Sequence, residues 1–378
     1  MGKKRLKFCL NLQTFAKEIF HSHLLFVQTE FYRGDLRPKQ LDRSCVFPHK
    51  AGHQPFPNIR CLHLDFGVEQ AVLDHLLQLM PNVTSLVLKG PTLIGRANPF
   101  PHLMGTRARI TEVDLGDISV SDDQLIDLVK KFSQSLEKLC FRDSSSLTSA
   151  GFSSIATCTR LRSLSIRRGF GGSSLEDTHM QKIVDSAPHL ETLLLQHHEL
   201  LTEAAFVNVH NLRLRNWRLR SPQISSEAIA RLRMIETLQN LDLRGCNFKS
   251  ENLHILANLN DLRALMLDCD MDPEGFDVIF NSFKRLEALL LGNCERLSDT
   301  EGVKFREFKN LRTLSFKRAL RFTDRTFEGG LGSRFMWMLD VRGCPLTNKG
   351  LAGIASHHKR LEGLTFEDFS NTYIYIYI

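Results

Sequence analysis

The sequence lacks several features that define common protein classes. Its 378 residues contain no run of about 20 apolar residues, the length that a membrane-spanning helix needs. Only 23 residues are glycine and 12 are proline, which excludes collagen-like and low-complexity chains. The nine cysteines include no Cys-x-x-Cys pair, so neither a disulfide framework nor a zinc ribbon is expected. These absences favour a globular chain that folds by apolar packing in a reducing compartment.

Charge and the amino terminus bear on partners and location. The 49 basic and 42 acidic residues give a net charge of +7, a mild preference for acidic partners. A basic start over residues 3–7 precedes Asn11 and Lys17, which interrupt the apolar core that a secretion signal would need. We therefore expect a cytoplasmic protein with no membrane contact, and the basic cluster leaves nuclear entry open.

An internal repeat runs through most of the chain. The pattern Leu-x-x-Leu-x-Leu begins at Leu238, Leu262, Leu286 and Leu311, at intervals of 24, 24 and 25 residues. The same frame starts nine further units, at Ile59, Val83, Ile110, Leu136, Leu161, Leu190, Val209, Met336 and Leu361. The chain thus contains about 13 units. The step of 19 residues from Leu190 to Val209 and the step of 29 that follows predict a kink or a loop in the middle.

Each unit is predicted to contain a strand, a turn and a helix. The Leu-x-Leu alternation places two apolar side chains on one face of a short strand. Capping boxes at Ser121 to Gln124 and at Ser298 to Glu301 mark helix starts. Stacked units bury their apolar faces against each other, which predicts an α/β solenoid, a horseshoe with a concave parallel sheet and convex helices.

Cysteines recur at a fixed place in the repeat. Cys246, Cys294 and Cys344 stand eight residues after the unit start, within Arg-Gly-Cys, Gly-Asn-Cys and Arg-Gly-Cys, and Cys158 lies three residues before Leu161. These motifs resemble the cysteine-containing leucine-rich repeat of F-box/leucine-rich-repeat proteins and of their F-box-lacking relatives of the mitotic-exit-antagonist type. The resemblance implies a substrate-receiving subunit of a Skp1-cullin-F-box ubiquitin ligase, which directs target proteins to ubiquitination and proteasomal degradation.

The two ends of the chain depart from this pattern. Residues 1–57 show neither the Leu-Pro start nor the closing Cys-x-x-Trp of an F-box. Two alternative explanations for the missing F-box motif stay open: a truncated gene start, or a relative of the F-box proteins that works without the box. The predicted organisation is an amino-terminal segment at 1–57, a leucine-rich-repeat solenoid at 58–369 and a Tyr/Ile tail at 370–378. The tail has the sequence that translation of a TA dinucleotide tract would give, and it is expected to lie outside the array.

The motifs of catalysis are missing from the sequence. It has no Gly-x-Ser-x-Gly elbow, no P-loop and no His/Cys set at zinc spacing. We therefore nominate no catalytic residue, metal ligand or cofactor, and an enzyme is the minority interpretation. The repeat cysteines are interpreted as packing residues.

Basic residues recur at the positions predicted to face the concave side. These positions are the second and fourth residues after the unit start and two further residues where the strand ends. Arginine forks suit carboxylate or phosphate groups, which predicts an acidic or phosphorylated protein segment as the ligand. The alternative is a solvated face of mixed charge. The predicted partner-binding residues are Arg142, Arg167, Arg168, Arg213, Arg215, Trp217, Arg244, Lys317, Arg318 and Arg342.

Trp217 is ambiguous in this frame because it occupies the cysteine position of its unit. Either the local frame shifts or the ring is exposed to a partner. Nucleic acid is a weaker option, since Trp217 is the only obvious stacking ring among these arginines. Two functions stay open: a ubiquitin-ligase substrate adaptor that contacts Skp1 and a cullin, and a ligase-independent scaffold or regulatory adaptor.

Overall fold

A computed structural model describes most of the repeat region. The described residues are 24–27, 58–64, 70–88, 99–168, 175–224, 229–367 and 373–377. The predicted amino-terminal segment at 1–57 lies outside them except for one strand.

In the described residues, fifteen strands form one open sheet in chain order. Strands β1 to β14 are parallel, and β15 is antiparallel to β14. The strands are β1 Leu24–Val27, β2 Cys61–Leu64, β3 Ser85–Leu88, β4 Glu112–Asp114, β5 Lys138–Phe141, β6 Ser163–Arg167, β7 Thr192–Gln196, β8 Asn216–Arg220, β9 Asn240–Asp242, β10 Ala264–Asp270, β11 Ala288–Asn293, β12 Thr313–Phe316, β13 Met338–Asp340, β14 Gly363–Glu367 and β15 Tyr373–Tyr377. Strands β2 to β14 belong to the thirteen predicted units, so the repeat prediction is confirmed.

Helical segments follow the strands. The α-helices in the described residues are α1 Gln70–Leu79, α2 Phe100–Gly105, α3 Asp122–Phe132, α4 Ser149–Ser154, α5 Asp177–Ser186, α6 Pro273–Ser282, α7 Asp299–Gly302, α8 Asp324–Phe327 and α9 Asn348–His357. The 3-10 helices are Ile155–Thr157, Glu203–Phe206, Val209–Asn211, Arg231–Met234, Ser250–Leu256 and Val303–Glu307. Neighbouring strands lie about 4.8 Å apart, whereas neighbouring helices need a spacing of about 10 Å. The sheet therefore forms the concave side of the leucine-rich-repeat horseshoe, and the wider helices form the convex side.

Equivalent residues of successive repeats pair with each other. Leu164 pairs with Leu193, Leu193 with Trp217 and Trp217 with Leu241, and all four side chains are buried. Because side chains alternate along a strand, the residues between them face the concave surface. This register places each chemical position of the repeat in a row that crosses the sheet.

Polar contacts between repeats hold the helix starts. Both predicted capping boxes, at Ser121 and at Ser298, are present. In addition, Asp122 accepts hydrogen bonds from the backbone N–H and the hydroxyl of Thr148, which caps the next helix. The same contact recurs in three other pairs: Asp177 with Thr202, Asp299 with Thr323 and Asp324 with Thr347.

The repeat cysteines pack in the core. Cys158 and Cys294 are fully buried and Cys344 is nearly so, while the Cys246 thiol donates to the Leu219 carbonyl oxygen at 3.2 Å. Burial raises the pKa of the Cys246 thiol to about 11 and that of Cys158 to about 12. At neutral pH these thiols are protonated and poorly nucleophilic, which agrees with a packing role.

The predicted frame of the seventh repeat is wrong. Its strand is Asn216–Arg220, so the unit begins at Leu214, 24 residues after Leu190 and 24 before Leu238. Val209, Leu212 and Leu214 match the apolar pattern by coincidence, and Val209 lies buried in a 3-10 helix. The repeat spacing is therefore regular here, and the predicted kink is not needed.

Both edges of the repeat sheet carry an additional strand. β1 pairs with β2, and β15 pairs along its whole length with β14, from Gly363 with Tyr377 to Glu367 with Tyr373. The expectation that the tail lies outside the array is wrong for these residues. The backbone donors and acceptors of β14 would otherwise form an open edge.

Deletion of residues 373–378 is expected to lower the thermal unfolding midpoint and to promote self-association, because it uncovers the edge of β14. Scanning calorimetry and size-exclusion chromatography measure the two effects. Deletion of residue 378 alone serves as the control, since it lies beyond β15. An unchanged midpoint for the longer deletion would show that β15 contributes nothing to the edge.

Candidate functional site

The residue that follows the second buried apolar residue of each strand forms a row along the concave side, here called the exit row. The parallel register aligns these equivalent positions, and many of them are arginine or lysine. The members of the exit row from the fourth to the twelfth repeat are Arg142, Arg167, Gln196, Arg220, Arg244, Asp268, Gly292, Lys317 and Arg342. Arg168 and Arg318 come one residue later.

Most of these arginines already hold a carboxylate. Arg142 and Arg167 both contact Asp117, at 3.9 Å and 2.8 Å, and Arg168 lies 3.4 Å from Glu199. Arg342 binds Asp340 through two hydrogen bonds of 2.8 Å and 2.6 Å, and Arg318 pairs with Glu295. Their positive charge is largely compensated within the chain.

Asp242 is the centre of an ion cluster with two arginines. Its carboxylate accepts two bonds from Arg244, at 2.9 Å and 2.8 Å, and one from Arg218 at 2.8 Å. Burial alone would raise the pKa of Asp242, but the hydrogen bonds from Arg244 and the charges of both arginines hold it below its ordinary value. The cluster fixes the two guanidinium groups at the concave surface.

Two exit-row cations have no ion pair among the described residues. In repeats eight and twelve, the sequences Asp242-Leu-Arg244 and Asp340-Val-Arg342 supply a carboxylate two residues before the arginine. In repeats seven and eleven the corresponding residues are Arg218 and Ser315, so Arg220 and Lys317 lack that partner. The Nε of Arg220 is buried and makes no hydrogen bond.

Arg220 and Lys317 line the same depression, here called the exit groove. It has a volume of about 370 Å³ and is also lined by His197, Glu199, Arg244, Asp268 and Ser315. The Asp268 carboxylate accepts a hydrogen bond from the Gly245 N–H at 2.8 Å. Three cations against two carboxylates leave the groove attractive to an anion.

The concave surface beside the exit groove is apolar. In repeats nine and ten, both concave positions of the strand carry hydrocarbon or thioether side chains, namely Ala264, Met266, Ala288 and Leu290. Leu290 itself lines the groove. Met266 and Leu290 are only partly buried, so an apolar group of a ligand can cover them.

Three predicted site residues lie elsewhere. Trp217 is buried and packs on Phe206, with the ring centroids 5.1 Å apart, so of the two alternatives the frame shift is correct and the ring is not exposed to a partner. Arg213 and Arg215 lie before strand β8, and Arg215 pairs with Glu191 at 3.7 Å on the opposite edge of the sheet. The misplaced frame also hid Arg218 and Arg220, which a start at Leu214 would have put on the concave side.

The described residues give no sign of a metal site or a membrane span. No group of three or more His, Cys, Asp or Glu side chains in them converges as metal ligands would. Within the same ranges, no helix is both long enough and apolar enough to cross a bilayer.

Comparison with known families gives no match, and comparison with curated proteins gives none either. Solved structures with a similar path include an internalin, InlF, from Listeria monocytogenes, at 16% identity and a TM-score of 0.47, covering 79% of this chain and 83% of that one. A second is the TLR13–ssRNA13 complex, at 14% identity and a TM-score of 0.41, covering 84% of this chain and 54% of that one.

Asp242→Asn is expected to lower the free energy of unfolding by about 1–3 kcal/mol at neutral pH, because it leaves two fixed guanidinium groups without their anion. The pKa of Asp242 is depressed in the folded state, so this contribution is present above the unfolded pKa of about 3.9 and disappears as pH falls through the lower, folded value. Urea unfolding at several pH values measures the difference in the free energy of unfolding between the variant and the wild type.

The matched control is Asp261→Asn, which removes an exposed carboxylate paired with Arg285. It is expected to cost about 0–1 kcal/mol. Equal losses for the two variants would contradict a special role of the Asp242 cluster.

Proposed function

We propose that this protein is a non-catalytic recognition module that binds an acidic or phosphorylated protein segment in the exit groove. The observation that carries the proposal is the pair of uncompensated cations, Arg220 and Lys317, at one groove beside an apolar surface. A carboxylate or phosphate in the groove would pair with the guanidinium group of Arg220 and with Lys317, which both line it.

Most of the remaining predicted arginines are already paired within the chain. Arg142, Arg167, Arg168 and Arg342 already hold carboxylates, so a ligand gains little by displacing those partners. Arg244 and Arg318 are likewise paired with carboxylates, so Arg220 and Lys317 supply the uncompensated charge that attracts an acidic segment. The first contact point is therefore Arg220 rather than the residues at either end of the row.

Reversal of the groove charges tests this site. We expect the double variant Arg220→Glu/Lys317→Glu to weaken binding of a fluorescent peptide that carries phosphoserine beside leucine by at least about tenfold, because two attractive charges become repulsive. Fluorescence anisotropy measures the affinity, and the same peptide with serine gives the contribution of the phosphate.

The control for this experiment is Arg233→Glu, a reversal on the exposed 3-10 helix Arg231–Met234, away from the groove. It is expected to leave the affinity unchanged apart from a small effect of net charge. Binding that is equal in the double variant and the wild type would refute the groove assignment.

The cellular role that we propose is substrate recognition for a Skp1-cullin type ubiquitin ligase. The support is the sequence resemblance carried by Cys246, Cys294 and Cys344, whose packing positions the structure shows. A ligase-independent scaffold or regulatory adaptor is the second candidate, because residues 1–57 lack an F-box motif.

Purification of the tagged full-length chain from cells distinguishes the two roles. We expect co-purification of Skp1 and a cullin, and we expect the Arg220→Glu/Lys317→Glu variant to retain both while it loses the target. Recovery of neither Skp1 nor a cullin, with a different protein that the double variant releases, would favour the scaffold.

A further inference from the structure

A second row of charges runs along the edge where the chain enters each strand, here called the entry ladder. Its residues follow the unit start directly and alternate in sign. Arg162 lies 3.9 Å from Glu137 and 2.7 Å from Glu191, and Glu191 lies 3.7 Å from Arg215. The alternation resumes with Arg263, Glu287 and Arg312, at 3.0 Å and 3.4 Å. The ladder neutralises its own charge.

The ladder changes character at the twelfth repeat. The ladder position that Arg312 holds in the eleventh repeat is held by Trp337 in the twelfth. The backbone N–H of Trp337 donates a hydrogen bond to the Arg312 carbonyl oxygen at 2.9 Å. Trp337 is 46% exposed, and Phe335, two residues earlier, is 44% exposed. Two large rings on one edge of a surface otherwise made of charged and polar residues are not explained by folding, since burial is what stabilises them.

Two arginines without a carboxylate partner in the described ranges lie against the Phe335 ring. The guanidinium carbons of Arg334 and Arg360 lie 5.2 Å and 5.5 Å from the Phe335 ring centroid. Both side chains are exposed. The guanidinium groups are oriented by the ring while their hydrogen-bond donors stay available.

A cleft adjoins this cluster. Phe335 and Arg312 line it together with Arg263, Arg285, Glu287 and Asn310, and its volume is about 320 Å³. Glu287 is shared between two arginines, and Asp261 holds Arg285. The cleft is therefore a polar recess beside two exposed rings, large enough for one amino-acid side chain.

We propose that Arg312, Arg334, Phe335, Trp337 and Arg360, here called the entry patch, form a second docking surface for an acidic protein segment that carries an apolar anchor residue. The rings receive the anchor, and Arg334 and Arg360 receive carboxylates on either side of it. Tryptophan and arginine are the residues most enriched where protein interfaces concentrate their binding energy.

The charge distribution favours a protein segment over a single-stranded nucleic acid. Rings and arginines also stack on bases, but a phosphate backbone needs a continuous basic track. On this edge, the exposed Glu362 is next to Trp337 in the ladder, Glu287 lies two positions away on the other side, beyond Arg312, and Asp261 lies further along. A segment with a few carboxylates can match Arg334 and Arg360 and leave these acidic residues uncontacted.

Tryptophan fluorescence gives a direct test, because the chain has two tryptophans and Trp217 is buried. The full-length protein is titrated with the peptide Glu-Glu-Phe-Glu-Glu. We expect a saturable blue shift of the emission as Trp337 loses water contact, and the shift should vanish in Trp337→Phe. Replacement of the anchor by serine should weaken binding by about tenfold or more.

Charge variants separate this surface from the exit groove. Arg334→Glu/Arg360→Glu should abolish the shift, whereas Arg220→Glu/Lys317→Glu should preserve it. Circular dichroism confirms that the variants fold. Absence of a shift in the wild type, a shift that survives the Arg334/Arg360 reversal, or a shift with a thymidine oligonucleotide but not with the peptide would each overturn the proposal.

Discussion

The parallel register between neighbouring repeats is the constraint on which the structure depends. One repeat cannot bury the two apolar residues of its strand alone, so each relies on the residues directly opposite in the repeats beside it. A slip of one residue would turn those side chains to the solvent and the polar ones to the core. The rows described above follow from this register: the apolar row through Leu164 and Trp217, the exit row, the entry ladder and the Asp–Thr contacts of the helix starts.

The two cations on which the proposed exit groove depends, Arg220 and Lys317, lie in repeats that lack the Asp-x-Arg pairing. Asp-x-Arg sequences in repeats eight and twelve compensate their own arginines, while Arg218-Leu-Arg220 and Ser315-Phe-Lys317 leave a cation without an acid. Between them, Met266 and Leu290 replace charged residues by apolar ones. Arg244 and Arg342 pair with a carboxylate of their own strand, and these ion pairs contribute to the stability of the array. Arg220 and Lys317 have no such partner, so a ligand can pair with them.

Much of the fold was predictable from the sequence because the repeat is regular. Period, strand faces and capping boxes follow from residues that recur at fixed spacing, as at Ser121 and Ser298. The seventh repeat was misplaced because Val209, Leu212 and Leu214 imitate the apolar pattern, whereas Trp217 occupies a position that leucine holds in most repeats. Local pattern cannot separate these frames, but packing can, since only one of them aligns with both neighbours.

The candidate sites were less predictable because they depend on distances between repeats. Asp117 compensates Arg167 from 50 residues away, which no spacing rule indicates. Likewise, the residues just before and just after the unit start, such as Phe335 and Trp337, belong to an edge that a concave-face prediction leaves aside. The strand pairing of Tyr373–Tyr377 was hidden by a composition that is typical of low complexity.

The two proposed surfaces lie at opposite edges of the sheet and have only repeat eleven in common. In repeat eleven, Arg312 enters strand β12 and Lys317 leaves it, five residues later, a separation of about 16 Å at about 3.3 Å per residue. Groups this far apart with no shared partner contribute independently to binding and stability. One segment can therefore occupy the exit groove while another occupies the entry patch. If both belong to one partner, the second contact becomes intramolecular, and the combined affinity exceeds that of either surface alone.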